Sequence, residues 1–179
     1  MFHLQEMALQ WVRGAQAWAP LPDLAEERSG AAAVALPDGR AMVIGGHRNN
    51  DGDDDDDDDM PALASVEVLA ADGSGWSALA PMGTARNAPA AVVLPCGKVL
   101  VAGGYDGSND LRTAELWDPA TGAWSDLPPM AHERGAAAAC LLPSGRVAVV
   151  GGYDQNFHRL DDGEAFDPEA QTWQPLPPM

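Results

Sequence analysis

Residues 98–130 read KVLVAGGYDGSNDLRTAELWDPATGAWSDLPPM, and residues 146–179 read RVAVVGGYDQNFHRLDDGEAFDPEAQTWQPLPPM. The two segments align from a double glycine, through a glutamate and an Asp-Pro pair, to a tryptophan and a closing Pro-Met. Outward from them the same landmarks recur along the chain. Trp18, Trp76, Trp124 and Trp173 lie 58, 48 and 49 residues apart, and each is followed three residues later by Leu21, Leu79, Leu127 or Leu176. Steps of 58 and then 48 also link Arg28, Arg86 and Arg134, and Gly45-Gly46, Gly103-Gly104 and Gly151-Gly152. The longer first step falls between Gly46 and Glu67, which holds the acidic run Asp53 to Asp59. A fixed period of 20 to 50 residues is the mark of a repeat architecture.

Each unit reads as four short strands, because apolar runs of four to eight residues are separated by turn residues and never extend to a helical period. In the middle unit the spacing predicts strand a over 88–94, strand b over 98–102, strand c over 113–117 and strand d over 123–127. Pro95-Cys96-Gly97 joins a to b as a hairpin, and residues 118–122, DPATG, turn c into d. Strand a is mostly Ala and Val, which suits the crowded innermost position of a blade. There Pro89 is tolerated at an unpaired edge. Strand d carries the large tryptophan, which reads as a fully buried wedge between blades. The expected fold is all-β, with four antiparallel strands per unit.

These residues resemble the kelch motif: Gly103-Gly104-Tyr105-Asp106, Ala114 to Pro119 and Trp124 to Met130 in one unit, and Gly151-Gly152-Tyr153, Glu164 to Pro168 and Trp173 to Met179 in the next. The first unit departs from the pattern, with His47 for the aromatic residue, no Asp-Pro turn, and the acidic insertion. The resemblance implies a kelch-type β-propeller built of four-stranded antiparallel blades. Trp11 and Trp18 stand seven apart, as Trp117 and Trp124 do, so an earlier blade contributes its strands c and d. The organisation is then a tail over 1–6, a partial blade over 7–24, and blades over 25–82, 83–130 and 131–179, with the insertion at 51–59. About three and a half blades are too few to close a ring of four to eight, so an incomplete, open arc is expected. Such an arc exposes an apolar blade face at each end and predicts self-association.

Charge narrows the partners. Ten basic residues face 27 acidic ones for a net charge of −17, which disfavours nucleic acid and anionic membrane surfaces. The longest apolar runs fall far short of the roughly 20 residues of a membrane helix, and Met1 to Arg13 does not read as a secretory leader. With two cysteines, Cys96 in a turn and Cys140 in a core strand, a disulfide scaffold is not expected, and a reducing, cytoplasmic location is.

By resemblance to kelch substrate adaptors, the face carrying the b–c and d–a connections reads partners. The b–c loops span 47–63, 105–110 and 153–160. They supply His47, Arg48, Asn49, Asn50, Tyr105, Asp106, Ser108, Asn109, Tyr153, Asp154, Gln155, Asn156 and His158, a mixture of aromatic and hydrogen-bonding groups suited to a protein-binding surface. The recurring Arg28, Arg86 and Arg134, with Glu67, Glu115 and Glu164, read as structural Arg-to-Glu contacts, since a site grafted on one face need not be periodic. The aspartates of 51–59 read as a solvated insertion. Copper oxidases of the galactose-oxidase type have similar propellers, and residues 36–40, LPDGR, resemble that branch, so a fragment of such an enzyme is the alternative. A radical-copper site needs converging tyrosine, histidine and cysteine ligands. The sequence offers only two tyrosines and no metal-ligand spacing, so no catalytic residue, metal or cofactor is assigned. The chain is expected to be an interaction module, a scaffold or a ubiquitin-ligase substrate adaptor, and not an enzyme.

Overall fold

A computed structural model describes residues 9–12, 17–48 and 61–178. The tail, the acidic insertion and Asn49 and Asn50 lie outside the described residues. The first pair of strands is β1 (Leu9–Val12) and β2 (Ala17–Pro20), antiparallel, with Trp11 opposite Trp18. Three four-stranded antiparallel sheets follow. The first is β3 (Ala32–Ala35), β4 (Ala41–Ile44), β5 (Val66–Leu69) and β6 (Trp76–Leu79). The second is β7 (Ala90–Val93), β8 (Val99–Ala102), β9 (Ala114–Asp118) and β10 (Ala123–Leu127). The third is β11 (Ala138–Leu141), β12 (Val147–Val150), β13 (Gly163–Asp167) and β14 (Thr172–Pro175). There is no helix among the described residues, and the sheets do not close into a ring. This is an incomplete propeller.

The hydrophobic core lies between blades, which is why the second strand of each blade is a continuous apolar run. On β8, Val99 and Val101 pack with Met42, Ile44, Val66 and Val68 of the first blade, while Leu100 and Ala102 pack with Val147, Val149 and Phe166 of the third. All four β8 side chains are fully buried, so the strand has no solvent face and needs no polar alternation. Each such Val or Leu contributes about 1.5–3 kcal/mol by leaving water.

The innermost strand is shorter than the 88–94 expected. Ala88 takes φ +48°, so the chain bends into the strand and Pro89 precedes it, outside the ladder. The strand d tryptophans do join neighbouring blades, packing against the blade–blade clusters and hydrogen bonding across: the indole N–H of Trp124 donates to the Ala80 carbonyl at 2.8 Å, and that of Trp173 to the Pro128 carbonyl at 2.7 Å. Both rings are half-buried, because strand d lies at the rim. The fully buried tryptophan is Trp117 on β9, and Phe166 occupies the matching place on β13.

Cys140 is exposed, against the expectation of a core residue. Its counterpart Val92 packs into the core between the second and third blades, whereas β11 has no further blade against that surface among the described residues.

The connections between blades are tied by a buried ion pair. Arg86 Nη2 donates to Glu115 Oε1 at 3.0 Å, and Nη1 donates to the carbonyls of Gly103 and Thr113 at 2.9 and 3.0 Å. Glu115 in turn accepts the backbone N–H groups of Gly83 and Thr84, at 2.7 and 3.1 Å, in the segment arriving from the first blade. Arg86 also holds that first blade through its backbone: its N–H donates to the Leu63 carbonyl at 3.0 Å, and its carbonyl accepts from Gly46 N–H at 2.8 Å. Arg28 with Glu67, at 2.8 Å, and Arg134 with Glu164, at 3.4 Å, repeat the arrangement. Burial pushes the Arg86 guanidinium below its ordinary value, and Glu115 opposes the shift.

The first glycine of each pair lets this connection approach. Gly103 has φ +66°, and a Cβ there would be driven into the Arg134 carbonyl of the third blade. Gly151 has the same φ of +66°, yet its Cβ would meet nothing nearer than the Leu160 carbonyl at 3.7 Å. Gly151→Ala should therefore cost only the left-handed backbone strain, about 1–2 kcal/mol. Gly103→Ala should cost at least about 2 kcal/mol more from overlap with the next blade. Urea denaturation of both variants measures the difference, and equal losses would contradict this account of the junction.

Candidate partner-binding face

The b–c loops and the d–a connections emerge at the same end of the sheets, and one residue in each blade organises that end. His47 forms bridges to Ser29 and Ala62, Tyr105 to Asn87 and Asp110, and Tyr153 to Gly135 and Arg159. Each extends its ladder by one rung past the double glycine. Tyr105 exchanges both backbone hydrogen bonds with Asn87, at 2.7 and 2.9 Å, and Tyr153 does so with Gly135, both at 2.9 Å. The aromatic residues are thus fixed by their backbones while their rings stay accessible: Tyr105 is half-buried and Tyr153 exposed.

The polar residues of this face divide by role. His47 joins two blades, its Nδ1–H donating to Asn87 Oδ1 at 3.0 Å. Arg48 is paired with Glu26. Asp106 and Asp154 fold their own loops. Asp106 Oδ1 accepts the N–H groups of Ser108 and Asn109 at 2.8 and 2.7 Å, and Asp154 Oδ1 accepts those of Asn156 and His158 at 2.8 and 2.9 Å. His158 Nδ1 adds a 3.1 Å contact to Asp154 Oδ2. The hydrogen bond from His158 N–H, with smaller contributions from Asn156 and the His158 ring, holds the Asp154 carboxyl below the usual range. Ser108, Asn109, Gln155 and Asn156 present exposed side chains, and Asn49 falls outside the described residues.

Two residues of this face were not singled out in the sequence. Phe157, at the tip of the third b–c loop, is 82% exposed with φ +59°. Its signal was present as a phenylalanine set among the polar residues 154–159. Asp110, a bridge partner of Tyr105, is a half-buried carboxylate; burial raises its pKa, and the charges of Asp154, Glu133 and Asp106 raise it further. Its neighbourhood is anionic, and proximity in the fold, which sequence order hides, makes it so.

Comparison with known proteins agrees with the blade architecture. The kelch motif matches residues 86–131 and 134–179, the two most regular blades. The chain belongs to the kelch-repeat family. Its kelch blades align with a solved structure described as "Structure of YjhT", with a TM-score of 0.75 at 16% sequence identity, covering 93% of this chain and 57% of that one. At that identity the likeness concerns the fold. The chain spans a little over half the length of that kelch structure. No curated protein matches the sequence. Kelch repeats generally mediate protein–protein interaction.

Proposed function

We propose that this kelch chain is a protein-recognition module that engages its partner through the face carrying Tyr105 and Tyr153. The supporting observation is the placement of the two rings. Both are held by paired backbone hydrogen bonds beside rigid glycines, so they lose little conformational freedom on binding. The neighbouring loops offer adaptable polar groups around them, which is the composition of a recognition surface. Its action is binding, as a scaffold or a substrate adaptor, in a cytoplasmic setting. The aspartate run is not required, since salt screens surface charges within about 8 Å at physiological ionic strength. With a partner captured by pull-down, Tyr105→Ala combined with Tyr153→Ala should weaken capture at least tenfold, and deletion of residues 53–59 should change it less than threefold. The reverse ranking, or loss of binding at moderate salt, would assign docking to the acidic insertion.

A second reading concerns the open end of the arc. Gly46 N–H and Gly104 N–H each donate to the carbonyl of an arginine in the following blade, at 2.8 and 2.9 Å, and Leu63 and Leu111 accept that arginine's N–H. In the third blade Gly152 N–H and the Leu160 carbonyl have no such partner among the described residues, and Cys140, whose counterpart Val92 packs against the following blade, is exposed. We infer that this surface associates with another polypeptide, including further copies of the chain. Light scattering of the purified chain should therefore report species above monomer mass that Cys140→Asp reduces. A monomer with a sharp melting transition would refute this reading.

A further inference from the structure

The b–c loop of the third blade carries one residue more than that of the second: residues 153–160 run from its tyrosine to its leucine where 105–111 do so in the second. Both loops close in the same way. Asp106 N–H donates to the Asn109 carbonyl and Asp154 N–H to the His158 carbonyl, each at 3.1 Å, so the extra residue is accommodated inside the closure. Phe157 is the residue pushed outward. Its left-handed backbone is unfavourable for any side chain with a Cβ, and its ring joins neither blade–blade core. The fold therefore bears a strain at Phe157 and gains no burial from it.

The Phe157 backbone is nonetheless held in place. Phe157 N–H donates to the Asp154 carbonyl at 2.8 Å, and the Asp154 carboxylate fastens the residues on both sides of it. An aromatic side chain on a fixed loop, with Tyr153 exposed at its foot, is a preorganised apolar contact. The surroundings decide what it suits. Asp110 lies at the adjoining loop with its carboxylate against Gly135, the bridge partner of Tyr153, and the charges around it, from Asp154, Glu133 and Asp106, are all negative. Asp110 itself has no cation or hydrogen-bond donor paired with it among the described residues, and the one nearby cation fixed by the ladder is Arg159, opposite Tyr153.

We propose that Phe157 and Tyr153 form the apolar half, and Asp110 with its neighbouring carboxylates the anionic half, of a docking patch for a peptide segment that carries a lysine or arginine beside an apolar side chain. The proposal rests on the recognition face above and names the chemistry of its partner. The cation would occupy the unpaired acidic position while the apolar side chain covers the exposed ring, and a cation near an aromatic face gains further attraction.

A displayed library of random heptapeptides, selected against the immobilised chain, supplies the probe. The expected consensus places Lys or Arg within two residues of Leu, Met or an aromatic residue. Selected peptides should bind at least tenfold more weakly to Phe157→Gly and several-fold more weakly to Asp110→Asn. Phe157→Gly should melt at an equal or higher temperature, because glycine removes the backbone strain. Peptides that depend on Tyr105 and Tyr153 but are acidic or neutral would overturn the basic-partner assignment and leave the recognition face standing. Selected peptides indifferent to all these substitutions, or no selection above background, would overturn both. A Phe157→Gly chain that binds peptide normally, melts lower, or loses self-association instead would assign Phe157 to folding or assembly and overturn the proposal.

Discussion

A guanidinium with no access to water has to be given a carboxylate and enough acceptors, and this requirement organises the chain. Arg86 is fully buried, and its terminal nitrogens are satisfied by Glu115, the Gly103 and Thr113 carbonyls and the Thr113 hydroxyl. Each partner lies at a different point of the blade: strand c, the end of strand b, and the start of strand c. Fixing all of them at once fixes how the strands end, and Glu115 extends the tie to the incoming connection. Removing one member of such a buried pair leaves an uncompensated charge and typically costs 3–5 kcal/mol. The repeat spacing of Arg, double Gly and Glu follows from this geometry.

Because the frame is held in this way, the loops between strands b and c are free to differ. The first blade accepts the acidic insertion, the second has a compact loop turned by Asp106, and the third adds Phe157 without altering its closure. Variation concentrated at one end of a rigid scaffold is how loops come to carry function. The third blade shows the frame from another side. Arg134 reaches Asp162 at 2.8 Å where Arg86 reaches the neutral Thr113, so a second carboxylate serves the terminal blade's arginine.

Much of this was legible in the sequence, for a physical reason: every blade solves the same packing problem, so its solution recurs at a fixed spacing. The four-stranded units, the kelch resemblance and the Arg-to-Glu contacts could all be read from recurrence. Residues whose role depends on the end of the arc could not. Cys140 aligns with Val92, which packs against the following blade, and is nonetheless exposed, since burial there needs a neighbour that alignment cannot supply. Trp124 was recognisable as a blade-to-blade contact, but its half-burial at the rim follows from where strand d lies in three dimensions. Phe157 and Asp110 occur once each, and recurrence is silent about single residues.

Arginine and glutamate act as one unit at each junction, and a double-mutant cycle on Arg86 and Glu115 measures that coupling. Each single substitution to alanine should lose about 3–5 kcal/mol in denaturant unfolding, because it strands the other charge. The double substitution should lose far less than the sum, with a coupling of at least about 1.5 kcal/mol, inside the range seen for groups that share one network. Additive losses within about 0.5 kcal/mol, the behaviour of independent sites, would contradict the account.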